Sequence, residues 1–212
     1  MAYQRLTQNN YDLSEVISAL QKDIRRGNEE QAMYWALEMI PQFEAYLWRR
    51  LVVIANEDVG IGYPPIFVTI AVLRDQFFEF RERGRNGTAR LIIANAILTL
   101  CRAPKSRISD HFQRAVVERW MNGDRPEIPD YALDKHTWRG RNMGRRDAEF
   151  WLEEGAQLHN PAEISDPYRE TAESLWRDGR DKAPDWGRRS QASRKSSGPP
   201  TLFNFMEMAD ED

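Results

Sequence analysis

Between Leu13 and Trp120 apolar residues return every three or four positions, segment after segment, and glycine, proline or asparagine separates the segments. That period belongs to amphipathic α-helices, because strands would alternate every second residue. Leu13, Val16, Ile17, Leu20 and Ile24 form one stripe that stops near Gly27. Asn28 suits an N-cap, Glu29 and Glu30 suit the positive end of a helix dipole, and Ala32, Trp35, Ala36, Met39 and Ile40 carry a second helix to Pro41. Phe43, Leu47, Leu51 and Ile54 predict a third, closed by Gly60, Gly62, Pro64 and Pro65. Ile66, Ile70, Leu73, Phe77 and Phe80 predict a fourth to about Gly84. In the fifth, residues 88–101, Leu91, Ile92, Ile93, Ala94, Ile97, Leu98 and Leu100 leave no polar face, which places it at a bundle centre. Ser106 can cap a sixth, running through Ile108, Phe112, Ala115, Val116 and Trp120.

The expected fold class is therefore all-α, with no β-rich alternation and no internal repeat. Residues 1–121 read as a helical bundle and residues 122–187 as an irregular extension, interrupted by glycines and prolines, with a last helix opened by Asp166 and Pro167. Residues 188–212 read as a disordered tail carrying a short apolar motif. With 41% hydrophobic and 30% charged residues the chain has an ordinary globular composition, and collagen-like or disulfide-framed folds are excluded. No apolar run reaches the ~18 residues of a membrane span, so no membrane partner is expected. The first residues lack the layout of a signal peptide and a single cysteine cannot form an internal disulfide, which points to a cytoplasmic protein. Cys101 reads as a small buried hydrophobe.

The net charge of −3 conceals alternating blocks. Residues 135–146 hold five basic side chains and no acid, residues 147–187 sum to −7, residues 188–206 to +4 and residues 207–212 to −4. Partners feel blocks rather than totals.

Three stretches carry a family resemblance: residues 24–40 (IRRGNEEQAMYWALEMI), residues 49–64 (RRLVVIANEDVGIGYP) and residues 100–106 (LCRAPKS). In this order and spacing the chain resembles the C-terminal helical region of the MgsA/RarA family, AAA+ ATPases of the clamp-loader clade associated with replication forks. The resemblance covers roughly residues 12–120 and ends there. It implies a clamp-loader collar-like bundle that mediates homo-oligomerisation, here as a stand-alone chain. No Gly-x-x-x-x-Gly-Lys-Ser/Thr occurs, so there is no phosphate-cradling loop and nucleotide hydrolysis is not expected.

Glu57 and Asp58 put two carboxylates at a helix end, where the dipole disfavours them; pairing with arginines such as Arg49 or Arg50 is the expected explanation. Lys135, His136, Trp138, Arg139, Arg141, Arg145 and Arg146 are the candidate nucleic-acid-binding residues. Arginine forks grip phosphate oxygens bidentately, Gly140 and Gly144 allow close backbone approach, and Trp138 offers a surface for an unpaired base. Two other readings stand beside this one. The following acidic block can neutralise these charges within the fold, or His136, Arg139 and Arg141 can serve an enzyme acting on a phosphorylated or nucleic-acid substrate. His111, His136 and His159 lie too far apart for a zinc site, so no metal or cofactor is expected; His111 reads as a half-buried helix residue and His159 as a helix-end cap.

In the tail, Thr201, Leu202, Phe203, Phe205 and Met206 resemble a sliding-clamp-binding peptide that lacks its leading glutamine. Binding to a clamp or another replication protein, to a neighbouring subunit, or back onto the chain's own bundle are the three uses of such a segment. The leading expectation is a non-enzymatic accessory protein of DNA replication or repair, oligomeric through its bundle, with DNA favoured over RNA; a plain assembly scaffold is the remaining alternative.

Overall fold

A computed structural model of the chain describes residues 5–178, and among these the protein is all-α, with a single isolated bridge between Leu6 and Asp12. The chain divides between Arg125 and Pro126 into two units.

The first unit contains α1 (Leu13–Arg26), α2 (Glu29–Glu38), α3 (Glu44–Ile54), α4 (Ile66–Glu82), α5 (Asn86–Arg102) and α6 (Ile108–Met121). Asp12 caps α1 by accepting from the backbone N–H groups of Ser14 and Glu15, and Gly27 closes it in the left-handed conformation, φ 77°. The stripe of Leu13, Val16, Ile17, Leu20 and Ile24 is buried as its spacing predicts. It packs with Ala32, Ala36, Met39, Leu47, Leu51, Ile54 and the inner faces of α4 and α5 in one continuous core. Trp48 meets Phe77 at 5.3 Å between ring centroids and both are fully buried. Helix α2 ends at Glu38, short of Pro41, and Glu38 is itself buried. Thr7 Oγ1 donates to its carboxylate at 2.9 Å and Asn9 Nδ2 donates as well, so an N-terminal strap satisfies this charge.

Helix α5 departs from the sequence expectation, and α6 shows what that expectation left open. Helix α5 is central, but it is not enclosed all round: Leu91 is 62% exposed and Asn95 also faces water. Helix α6 buries none of its residues. Its N-terminal end sits against the turn at Gly60, where a Cβ would lie 3.3 Å from Ser109 Oγ, while Ile108, Phe112 and Trp120 are each about 60% exposed or more. An amphipathic period shows that a helix has an apolar face; it does not supply the surface that covers it.

The second unit is built differently. It holds a 3-10 turn (Asp130–Ala132), α7 (Trp138–Asn142), α8 (Asp147–Leu152), a second 3-10 turn (Glu154–Ala156) and α9 (Arg169–Arg177). Leu133 is its one buried large hydrophobic residue among those described. Aromatic contacts take the place of an aliphatic core: Phe150 meets Trp151 edge-on at 4.7 Å, and Trp151 stacks on Trp176 at 4.7 Å with ring planes 10° apart. Asp166 does not cap α9; its Oδ1 accepts the Tyr168 N–H at 3.0 Å in a turn, and the helix starts at Arg169.

Candidate nucleic-acid interface

The basic segment is organised by Asp134 and Thr137. Asp134 Oδ1 accepts the His136 backbone N–H at 2.8 Å, which turns the chain, and Thr137 then caps α7 by accepting the Gly140 N–H at 2.9 Å. Thr137 Oγ1 also donates to the Asp134 carbonyl at 3.0 Å. Gly140 is obligatory here, since a Cβ on it would overlap that same carbonyl group. The glycine predicted to let a ligand approach thus lets the chain approach itself.

The seven candidate residues divide into two groups. Arg145 is bound inside the unit: it forms an ion pair with Asp130 and donates to the carbonyls of Asp130 at 2.6 Å and Leu133 at 2.9 Å. Lys135 lies over the rings of Phe150 and Trp151, at 5.7 and 5.8 Å. His136 Nδ1 is 3.1 Å from Asp134 Oδ2 and its ring meets Phe150 edge-on at 4.9 Å. The His136 hydrogen bond holds the Asp134 carboxyl below its ordinary value of 3.8. Trp138 is 71% exposed, and Arg139 and Arg146 are exposed with no side-chain ion pair among the described residues. Arg141 is also exposed but donates to the His136 carbonyl at 2.9 Å. The backbone N–H of Arg146 is taken by Glu149, whose pKa is lowered by backbone hydrogen bonds including this one.

A cleft of about 280 Å³ lies beside these residues, lined by Asp130, Tyr131, Asp134, Arg145, Glu149, Phe150, Glu153 and Gly155. Four carboxylates against one committed arginine repel a phosphate ester, so the cleft does not serve the enzyme reading built on His136, Arg139 and Arg141. No serine, threonine or cysteine side chain is hydrogen-bonded to the His136 ring among the described residues; its ring partner is the Asp134 carboxylate. No group of three or more potential metal ligands comes together among them either. His111 and His159 are both exposed, and neither the half-buried nor the capping role expected of them is found.

The other charged motif is spent on the fold. Ala55–Val59 forms a π-helical turn that continues α3 and carries Glu57 and Asp58. Asp58 is buried, and its carboxylate accepts from Arg25 at 2.7 and 3.3 Å and from Gln21 Nε2 at 3.0 Å. Glu57 binds Arg107 at 3.1 Å and lies 3.7 Å from Arg25. Their partners are thus Arg25 and Arg107 rather than Arg49 or Arg50; helices α1 and α6 reach them, whereas Arg50 bonds Gln21 at 3.4 Å. Lys105 donates to the carbonyls of Leu100, Cys101 and Ala103 at 2.7, 2.9 and 2.9 Å, closing the end of α5, while burial pushes its pKa down. Cys101 is buried and its thiol is pushed up to about 11 by that burial, as expected of a core residue.

Residues 27–163 match the family model described as MgsA AAA+ ATPase C terminal. The chain belongs to this family. Among similar proteins, the Replication-associated recombination protein A of Bacillus subtilis (strain 168) is 28% identical over 132 residues, covering 62% of this chain and 30% of that one. Those of Escherichia coli (strain K12) and Haemophilus influenzae are 33% and 32% identical over 129 residues, covering 59% of this chain and 26% of theirs. The chain therefore matches less than a third of the length of these relatives. The MgsA C-terminal match extends well past residue 120, where the sequence resemblance stopped, and takes in the whole basic segment; it begins at Gly27, leaving α1 outside although α1 completes the core.

Sequence reading missed Asp130, Asp134, Phe150 and Trp151, which hold the basic segment in place. The Asp134-x-x-Thr137 spacing was the available signal for the turn. The partner-binding candidates Thr201, Leu202, Phe203, Phe205 and Met206 lie outside the described residues. No described helix is long and apolar enough to cross a membrane.

Proposed function

We propose that the chain is an accessory module of DNA replication or recombination that binds single-stranded nucleic acid, DNA before RNA, through the exposed side of α7. The observation that carries this reading is Trp138, 71% exposed beside Arg139, on a short helix whose backbone is fixed by Asp134, Thr137 and Gly140. A rigidly presented indole stacks on any unpaired base, and neighbouring guanidinium groups hold the flanking phosphates. The names of the relatives, replication-associated recombination proteins, support the setting.

The geometry also supports a size for the effect. Arg139, Arg141 and Arg146 remain to meet phosphates, whereas Arg145 is committed to Asp130. Three contacts to a single strand give a salt slope of about −2 in log–log form, against roughly −3.5 for all five cations of the segment. Fluorescence anisotropy with labelled single-stranded DNA between about 50 and 200 mM salt measures it. Absence of binding at the low-salt end, or a slope near zero, rejects the reading.

A second role rests on α6. Ile108, Phe112, Val116, Trp120 and Met121 are all exposed along it, and a run of large apolar side chains on one helix marks an interaction surface. This supports the homo-oligomer expected of a collar-like bundle, in which α6 meets a neighbouring copy. Light scattering tests it: a strict monomer at micromolar concentration removes the assembly role and leaves the nucleic-acid reading untouched. Capture of a sliding clamp by Thr201–Met206 remains a proposal from the sequence of the tail.

A further inference from the structure

A groove of about 380 Å³ crosses the first unit where the end of α2 faces the α4–α5 hairpin. Its apolar floor includes Leu37, Ile40, Pro41, Phe77 and Ile93, and its rim carries Arg81 and Arg90. Arg81 is held by Glu44 and by Asn86. Arg90, and Arg85 on the adjoining turn, are exposed and have no ion pair among the described residues. Arg83 on the same turn is paired with Glu79 at 2.9 Å. The groove thus offers an apolar slot with two uncommitted guanidinium groups beside it, at a place the sequence reading did not single out.

The chain carries a segment of the complementary chemistry. Leu202, Phe203, Phe205 and Met206 are followed directly by Glu207, Asp210, Glu211 and Asp212. We propose that this groove receives the chain's own C-terminal segment, residues 202–212, with an aromatic side chain in the slot and the terminal carboxylates against Arg85 and Arg90. A volume of 380 Å³ suits one or two aromatic side chains, not a folded surface. Reach does not restrict the contact: a stretch as long as residues 179–201 spans up to about 75 Å, several times the ~14 Å radius of gyration of a 120-residue domain. Other apolar surfaces fit less well. The groove between α2 and α5 is rimmed by Glu29 and Glu30, which repel the tail's acids, and the face of α6 carries both signs of charge, with Asp110 and Glu118 beside Arg114 and Arg119. Because the same aromatic side chains would enter a partner's pocket, groove and partner compete for the tail.

The test places the photocrosslinker p-benzoylphenylalanine at Phe203 or Phe205 in the otherwise unaltered purified chain. The expected products join the tail to peptides containing residues 37–41 or 77–93, from the same or another copy. Yield falls about fivefold on Arg85→Glu with Arg90→Glu, two exposed positions whose reversal leaves the fold intact, and also falls with added salt. Circular dichroism of that variant confirms the fold. Crosslinks confined to α6 or to residues 126–178, no crosslink at all, or a yield indifferent to the two charge reversals overturns the proposal. Loss of DNA binding in the same preparation bears on α7 alone, so the two readings fail separately.

Discussion

Residues 56–60 and residues 135–146 look alike as sequences: each crowds charges at a helix end beside glycines. In the fold they behave differently. Asp58 is 1% exposed and both acids are engaged by Arg25 and Gln21 of α1 and by Arg107, which precedes α6. The basic segment has an acid within reach for Arg145 but leaves Arg139 and Arg146 in water. The difference follows from what lies beneath. The first unit has an aliphatic core large enough to fix helices around a buried charge. Among the described residues the second has one buried leucine and a row of aromatic rings, which hold a short helix but do not enclose its face. Here the charged motif over the thick core is a structural joint, and the one over the thin core leaves Arg139 and Arg146 exposed to solvent.

The sharpest way to break that contrast is Asp58→Ala. It removes the buried acceptor of Arg25 and Gln21, whose own side chains still reach solvent, and a loss of about 2–3 kcal/mol is expected in urea unfolding. A loss below about 1 kcal/mol would show the joint to be decorative. Gly140→Ala comes next: the added methyl forces α7 away from the Asp134 carbonyl, which costs about 1–3 kcal/mol in the second unit and abolishes single-strand binding without moving the unfolding of the first. If binding survives, α7 is not where the nucleic acid lies.

Smaller effects sharpen the comparison. Trp138→Ala should weaken single-strand binding by about 1–3 kcal/mol with stability unchanged. Arg139→Ala with Arg146→Ala should flatten the salt slope by about 1.4 while Arg145→Ala mainly lowers stability; equal effects of all three on the slope would erase the division between committed and available arginines. Phe112→Ser with Trp120→Ser should shift the proposed oligomer toward smaller species and leave thermal stability within about 0.5 kcal/mol, because neither residue is buried in the single chain.

Acid provides the mildest test. The Arg102 hydrogen bond lowers the pKa of Glu29 from 4.5, and the Arg107 hydrogen bond lowers that of Asp110 from 3.8. Carboxyls lowered on folding stabilise the native state above their ordinary values and lose that contribution as pH falls through the lower native ones. A thermal melt flat to about pH 4.5 and declining below it is expected, with a shallower decline in Arg102→Gln.

How far the sequence could be read depends on the region. Helices α1 to α5 were legible because each buries a stripe, and Leu13–Ile24 or Ile66–Phe77 reveals that stripe directly. Leu91 was misread, and the cover of α6 was left open, because the same period describes a buried face and an uncovered one. Arg25 and Arg107 could not be named as partners of Asp58 and Glu57, since Arg25 is 33 residues from Asp58 and Arg107 is 50 from Glu57, and they meet through packing alone. In the second unit, turns and rings rather than periods set the structure, so the basic cluster was visible but its division was not.

The sequence by itself determined the all-α class, the family to which the chain belongs and the location of its concentrated positive charge. Each of these is written in local spacing or composition. Only the tertiary structure decided that the two carboxylates of residues 56–60 are a joint, that Gly140 serves the chain's own backbone, and that Trp138 and Arg139 face water. Those outcomes depend on which distant residues arrive beside a group and whether they exclude solvent, and no spacing along one segment records that.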